Sequence, residues 1–246
     1  MNKNESIASE RYSKDSWLPP WTIKEHHARY NFASNYVAGK VVVDCACGSG
    51  ESSQIFAKAG ASRVIGIDVD AGAVESARSK YIEPGLEFCL GNGREIPMGD
   101  SLVDVFVCLE TIEHVKEDKS FLDEVWRVLR PDGLLICSTP NRDVTNPDTV
   151  LEDSPWNHFH VREYNEVDFK RLIGDRFKIV ECFGQNPVHP IISRSGRMIA
   201  KILGTRIAVK YNQGLKCRWF LFDAMKLHEV QKSSRIMEYF VWVMQK

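Results

Sequence analysis

The chain lacks any long apolar run: no stretch approaches the roughly 18 apolar residues that a membrane helix needs. Its start, Met1-Asn2-Lys3-Asn4-Glu5, is followed by no apolar core of the kind that a secretory leader carries. The expectation is a chain that neither spans a membrane nor is secreted. It also lacks a charge of one sign, with 32 Lys+Arg against 33 Asp+Glu and a net charge of -1, which predicts no global attraction to nucleic acid. It has no CxxC pair. The cysteines, at 45, 47, 89, 108, 137, 182 and 217, are odd in number and fall mostly inside apolar runs, so they read as reduced core thiols of a cytoplasmic protein. Cys45 and Cys47 lack the two further ligands of a structural zinc.

What is present is an ordinary globular composition, 43% hydrophobic and 26% charged, which excludes disorder, collagen and coiled coil. A chain of 246 residues is the size of one large domain. From residue 40 to about 185 short apolar runs alternate with amphipathic stretches, the pattern of a parallel sheet with crossover helices. Strands are expected at 40–45, 63–68, 86–90, 103–108, 134–137, 177–183 and 237–243, seven in all. Helices are expected at 51–59, 71–81, 121–129 and 167–173, with Arg130-Pro131-Asp132-Gly133 ending the third of these. Residues 1–39, helix-like from Ile23 to Val37, have no core of their own and are expected to cover the sheet edge or the ligand. Residues 184–236 exceed an ordinary connection and are expected to form a cap before the last strand, 237–245. The fold class is therefore α/β, a seven-stranded doubly wound sheet in a single domain whose core is 40–183.

The first strand ends Asp44-Cys45-Ala46-Cys47-Gly48-Ser49-Gly50 and leads into a helix. A strand, a glycine-containing turn and a helix form a device for holding a nucleotide at the carboxyl edge of a sheet. Small residues at 46, 48 and 50 let backbone approach a ligand closely, and Asp68, ending the second strand, can accept from both hydroxyls of a ribose.

With VVVDCACGSG stand VIGIDVD, LGNGREIP, DVFVCLETIEHV and LRPDGLLICSTPNR, in that order. Together they resemble the class I S-adenosylmethionine-dependent methyltransferases over residues 40 to 185, which implies a Rossmann-like sheet and S-adenosylmethionine as cofactor. An NAD site fits less well, because the loop is DxACGxG rather than GxGxxG and Gly91-Asn92-Gly93 follows the third strand where the family holds adenine. The resemblance assigns cofactor contacts to Asp44, Ala46, Gly48, Gly50, Asp68, Val69, Asn92, Gly93 and Leu109. Asn92 stands where the family usually has Asp. Arg29, on the leading helix, takes the place of an arginine that meets the cofactor carboxylate in related enzymes.

The fourth strand runs into Glu110-Thr111-Ile112-Glu113-His114, which in a helical turn puts Glu113 and His114 at i+3 and i+4 from Glu110. The fifth strand exits through Ser138-Thr139-Pro140-Asn141-Arg142 into a loop carrying His158, His160, Glu163 and Tyr164. Two close carboxylates repel, and a divalent cation is one way to keep both ionised. A metal-free acid/base role is a second reading. The third is a solvated helix start with His114 bonded to a carbonyl.

The ExxEH pattern resembles that of ubiquinone-biosynthesis O-methyltransferases. With STPN and HxxEY it is also similar to the small-RNA 3′-terminal 2′-O-methyltransferases, which implies Glu110, Glu113, His114 and His160 as ligands of Mg2+ or another divalent metal, and Glu110, His114 and His160 as catalytic groups. EHHARY, DCACGSGESS, ETIEHV, STPNR and FHVREY look most like bacterial methyltransferases of polysaccharide and glycan biosynthesis. A small-molecule or glycan acceptor with a sugar hydroxyl is the expected substrate, with an RNA 3′ terminus and a quinone precursor as alternatives. A cofactor-binding regulatory protein is the non-enzyme alternative. His158 reads as a loop-packing residue, and His26 as either substrate-facing or surface. The basic stretch Arg194 to Arg218 suits a solvated face, a phosphate grip, an RNA contact or a peripheral membrane contact.

Overall fold

The computed structural model describes residues 20–188, 228–229 and 236–246. The chain enters through helix α1 (Pro20–Ala33) and a 3-10 turn at Ser34–Tyr36. Then β1 (Val41–Cys45), α2 (Glu51–Lys58), β2 (Arg63–Asp68), α3 (Ala71–Lys80) and β3 (Leu86–Leu90) alternate. The second half comprises β4 (Val103–Leu109), α4 (Asp118–Val128), β5 (Leu129–Pro140), the short α5 (Arg142–Thr145), α6 (Glu166–Ile173), β6 (Lys178–Val188), β7 (His228–Glu229) and β8 (Ile236–Gln245).

These strands form one sheet in the order β3-β2-β1-β4-β5-β8-β6-β7. β1 to β5 are parallel, and β8 runs antiparallel to both β5 and β6. The seven expected strands are all present, and the two-residue β7 adds an eighth at the edge of β6. Side chains alternate across a strand, so the continuous apolar runs of β1, β2 and β4 feed two cores at once. Val43, Ile65, Phe106 and Leu135 pack on one face with Phe121, Leu122, Val125 and Val128 of α4. Val42, Val64, Val105 and Ile136 pack on the other with Ala33 of α1, Val37 and Phe56 of α2. Strand order reverses between β1 and β4, and in such sheets ligands bind outside the carboxyl ends at that reversal.

Three expectations change. Arg130 to Gly133 do not separate helix from strand: β5 begins at Leu129, paired with Val103, and its register then jumps to Leu134 opposite Val105, so the turn residues become a bulge with Asp132 at φ +64°. The core does not end at 183, since β6 continues to Val188, paired there with Ile236. The register between β6 and β8 shifts between Ile179 and Glu181 and is then unbroken through Val188, although Asn186 sits at φ +55°. Residues 184–188 therefore belong to the sheet, and the rest of the expected cap, with the basic stretch and Cys217, lies outside the described residues apart from β7. The leading helix spans 20–33 rather than 23–37, finishing as the 3-10 turn. No helix among the described residues is long and apolar enough to cross a membrane.

Candidate active site

The turn after β1 is held by hydrogen bonds running between β1, β2 and α2. Asp44 is buried, and its Oδ2 accepts from the hydroxyls of Ser52 (2.6 Å) and Ser53 (2.5 Å) in the first turn of α2. Burial pushes its carboxyl up to about 6, against those hydroxyls, which favour the ionised form. Asp68 Oδ2 accepts from the Gly48 N–H (2.9 Å) and its Oδ1 from the Asp70 N–H (2.9 Å), so this carboxylate ties the turn to the end of β2. Ala46 sits at φ +60°, the left-handed region that the loop demands even of a residue with a side chain. Gly50, at φ +85°, lies against Phe88; a β-carbon there would be 2.7 Å from the ring. Glycine is thus required twice over, by angle and by space.

The other expected cofactor residues border this turn. The Gly91 N–H donates to the Asp68 carbonyl (3.0 Å), which brings the Asn92-Gly93 corner beside β2. Asn92 is exposed, and its Oδ1 accepts from the Arg94 N–H (3.1 Å). Val69 is 64% exposed, an apolar surface left open beside Asp68. Leu109 ends β4. Arg29 is 1% exposed and reaches the opposite half of the edge: its Nη1 donates to Gln185 Oε1, its guanidinium lies 5.0 Å from the Tyr239 ring centre, and its Nε is 3.9 Å from Glu110 Oε1. That Nε has no hydrogen-bond partner among the described residues.

At the ends of β4 and β5, Glu110 does not share a helical turn with Glu113 and His114. Its backbone is at φ +51°, and the 3-10 turn spans only Ile112–His114. The Glu110 N–H donates to Ser138 Oγ (3.0 Å), and that hydroxyl donates to Glu110 Oε1 (2.6 Å). Glu113 is 1% exposed. Its Oε2 accepts from the Thr139 hydroxyl (3.2 Å), while its Oε1 is buried with no hydrogen-bond partner among the described residues. Burial, then the charge of Glu110, drives the Glu113 carboxyl well above the usual carboxylate range.

The loop after β5 brings two imidazoles to this carboxylate. His114 Nδ1 is 3.1 Å from the Phe159 carbonyl, so Nδ1 carries the proton and Nε2 the lone pair. His160 Nδ1 is 2.6 Å from Glu163 Oε1, and its Nε2 is 2.9 Å from Asn157 Nδ2. The rings meet edge to face, 4.9 Å apart. One ligand atom each from Glu113, His114 and His160 lies within 4.8 Å of the others, which suits a divalent cation, and the orphaned Glu113 oxygen is the buried acceptor that such an ion would satisfy. Of the four expected ligands, these three form the group and Glu110 does not join it. Glu110 lies outside the group because its left-handed backbone hands its carboxylate to Ser138.

His158 is exposed, its ring tilted against that of Phe159 with centres 3.9 Å apart. His26 is held neutral, its pKa lowered to about 3 by burial, then by Arg29 and His27. The residue whose part the sequence reading missed is Glu163, 3% exposed and bonded to His160. Its signal was the i, i+3 spacing of FHVREY.

A family model described as a methyltransferase domain matches residues 43–137. A "Probable S-adenosylmethionine-dependent methyltransferase" of Mycolicibacterium smegmatis is 37% identical over 151 residues, covering 61% of this chain and 56% of that protein. The chain spans less than two thirds of the length of this mycobacterial relative. A ubiquinone biosynthesis O-methyltransferase of Actinobacillus pleuropneumoniae is 30% identical over 162 residues, covering 58% of this chain and 68% of that one. Among solved structures, an S-adenosylmethionine-dependent methyltransferase from Thermotoga maritima superposes with a TM-score of 0.63 at 15% identity, over 92% of both chains, and shares the fold. With the sheet order, the glycine turn bound to Asp68 and these relatives all in agreement, the chain belongs to the class I S-adenosylmethionine-dependent methyltransferases.

Proposed function

We propose that this chain transfers a methyl group from S-adenosylmethionine to a hydroxyl of a sugar, glycan or sugar-containing metabolite, with a divalent cation held by Glu113, His114 and His160. The observation that carries the metal-assisted reading is the grouping of the Glu113 carboxylate with two imidazoles within 4.8 Å, together with a buried Glu113 Oε1 that has no partner among the described residues. Asp68 would hold the ribose hydroxyls, with the backbone at Ala46 and Gly48 beneath the methionine and ribose, Val69 and Leu109 against the adenosyl group, and Asn92-Gly93 at adenine. The Arg29 Nε–H, buried and without an acceptor among the described residues, supports its pairing with the cofactor's carboxylate. When bound, the cofactor supplies the electrophilic methyl on sulfur, and a cation in the three-residue group lowers the pKa of a coordinated hydroxyl.

The protein's own part is alignment and proton removal. In-line displacement at a methyl carbon gains most from fixed geometry, which the paired loops at the β1/β4 reversal would provide. Glu110 is partly exposed and outside the metal group, the carboxylate available to take the acceptor's proton. Similarity to the ubiquinone biosynthesis O-methyltransferases favours a quinol precursor as second reading.

The test is transfer of tritium from labelled cofactor to nucleotide sugars, methyl glycosides, catechol-type quinol precursors and RNA with intact or periodate-oxidised 3′ ends, each with and without EDTA. Turnover on a sugar acceptor, lost in EDTA and restored by Mg2+ or Mn2+, is expected. Turnover on catechols alone selects the second reading, and loss of RNA methylation on periodate oxidation selects the RNA terminus. Calorimetric binding of cofactor with no turnover on any acceptor would leave a regulatory binding protein.

A further inference from the structure

We infer that Glu163 is a positioning residue that fixes the His160 tautomer, through a chain of hydrogen bonds in which each donor is determined by the one before. This rests on the preceding reading of His160 as a site residue. The chain starts at a backbone group whose role is not in doubt: the Trp156 N–H donates to Asn146 Oδ1 (2.8 Å), so the Asn146 amide has its oxygen toward Trp156. Its Nδ2 therefore faces Glu163 and donates to Oε2 (2.5 Å), and the Thr145 hydroxyl meets the same oxygen. With Oε2 taken by two donors, Oε1 accepts from His160 Nδ1 (2.6 Å). The proton is on Nδ1, and the lone pair is left on Nε2.

The other side of the ring agrees independently. Asn157 Oδ1 accepts from the Phe159 N–H (3.2 Å), which turns Asn157 Nδ2 toward His160 Nε2 (2.9 Å). An amide nitrogen donates, so Nε2 must accept, and a doubly protonated ring would set two donors against each other. Glu163 is 3% exposed, so water does not compete for its oxygens. In His114 the Phe159 carbonyl places the proton on Nδ1 in the same way. Both rings are held with the lone pair on Nε2, the tautomer that a cation requires, and in His160 the Asn157 amide occupies that lone pair until a cation displaces it.

The substitution Glu163→Gln reverses the tautomer rather than merely loosening the ring. Asn146 and Thr145 would claim the new amide's oxygen, leaving its NH2 against His160 Nδ1. Nδ1 must then accept, and the proton moves to Nε2.

The experiment is a long-range 1H–15N correlation spectrum of the uniformly 15N-labelled full chain, with the His160 ring assigned by its loss in His160→Gln. Wild type should show Nδ1 protonated and Nε2 bare, and Glu163→Gln the opposite, while Glu163→Asp keeps the wild-type tautomer. Mn2+ affinity, read by electron paramagnetic resonance, should fall about tenfold or more in Glu163→Gln and partly recover in Glu163→Asp. S-adenosylhomocysteine binding by calorimetry should be unchanged in both. A protonated Nε2 in wild type overturns the inference even if no variant folds, and so does an unchanged tautomer in Glu163→Gln. Failure of wild type to bind Mn2+, with the tautomers as expected, overturns the metal reading and supports this one.

Discussion

The Ser138 hydroxyl donates to Glu110 Oε1 at 2.6 Å, and its neighbour Thr139 donates to Glu113 Oε2 at 3.2 Å. Consecutive strand residues point to opposite faces, so two adjacent hydroxyls of β5 draw apart two carboxylates only three positions apart in sequence. One enters the imidazole group and the other faces Arg29. The separation of the two glutamates follows from the pleat of β5.

Ser138→Ala should therefore act on Glu110 alone. It removes a donor from Oε1 and an acceptor from the Glu110 N–H, a stability loss of about 1 kcal/mol. In steady-state assays kcat should fall about tenfold or more, with cofactor and Mn2+ affinities unchanged. An equal loss of Mn2+ affinity would place Glu110 among the ligands after all.

Glu113→Gln removes a charge that burial disfavours. Without metal the variant should be as stable as wild type or more so in urea, since a carboxyl whose ionised form burial disfavours is exchanged for a group that stays neutral. Mn2+ binding and metal-dependent turnover should be lost. A variant that keeps both would remove Glu113 from the site.

Gly50 and Gly60 separate two effects of a β-carbon. Gly60, at φ +89°, has nothing within 4 Å of the added atom, so Gly60→Ala should cost about 1–2 kcal/mol from the backbone angle alone. Gly50→Ala meets Phe88 as well and should cost more, with calorimetric cofactor affinity lost only in this variant. Equal costs would mean that Phe88 yields freely.

Asp44 predicts an inverted pH dependence. Its folded-state pKa, raised from 3.8 to about 6, means that the unfolded chain releases this proton first as pH rises, so the contribution to stability declines from about pH 4 to pH 6 and stays low above. Asp44→Asn abolishes that decline. Its stability relative to wild type should rise by about 2 kcal/mol between pH 4 and pH 8 in urea titrations. His26 acts oppositely: with its pKa lowered from 6.5 to about 3, its contribution is present above pH 6.5 and fades as pH falls toward 3. Comparison against Asp44→Asn isolates the carboxylate. A flat difference between the two proteins would show Asp44 ionised at its ordinary value.

The parallel half of the sheet was legible because β-branched runs such as Val41-Val42-Val43 and Val64-Ile65 read the same way alone or packed. The cofactor turn was legible because its small residues have little other use. Glu110 was not, since an ExxEH spacing assumes helical register and nothing local announces the left-handed backbone at its first residue. The extension of β6 was hidden by Gln185-Asn186-Pro187, which reads as a stop. The sheet continues because β8 supplies partners from about fifty residues downstream. Glu163 lies inside FHVREY, but its part depends on Asn146 and Thr145, which come from another segment.

Gly184 lies on β6 against Met237 of β8, where a β-carbon would stand 1.9 Å from Met237 Cγ. Only a hydrogen atom fits on that face of β6, because the Met237 side chain fills the space. Gln185, the acceptor for Arg29, is the next residue along the strand. Drift at position 184 would tilt the Arg29 guanidinium relative to Glu110 and retune the catalytic edge while every residue lining it stayed the same.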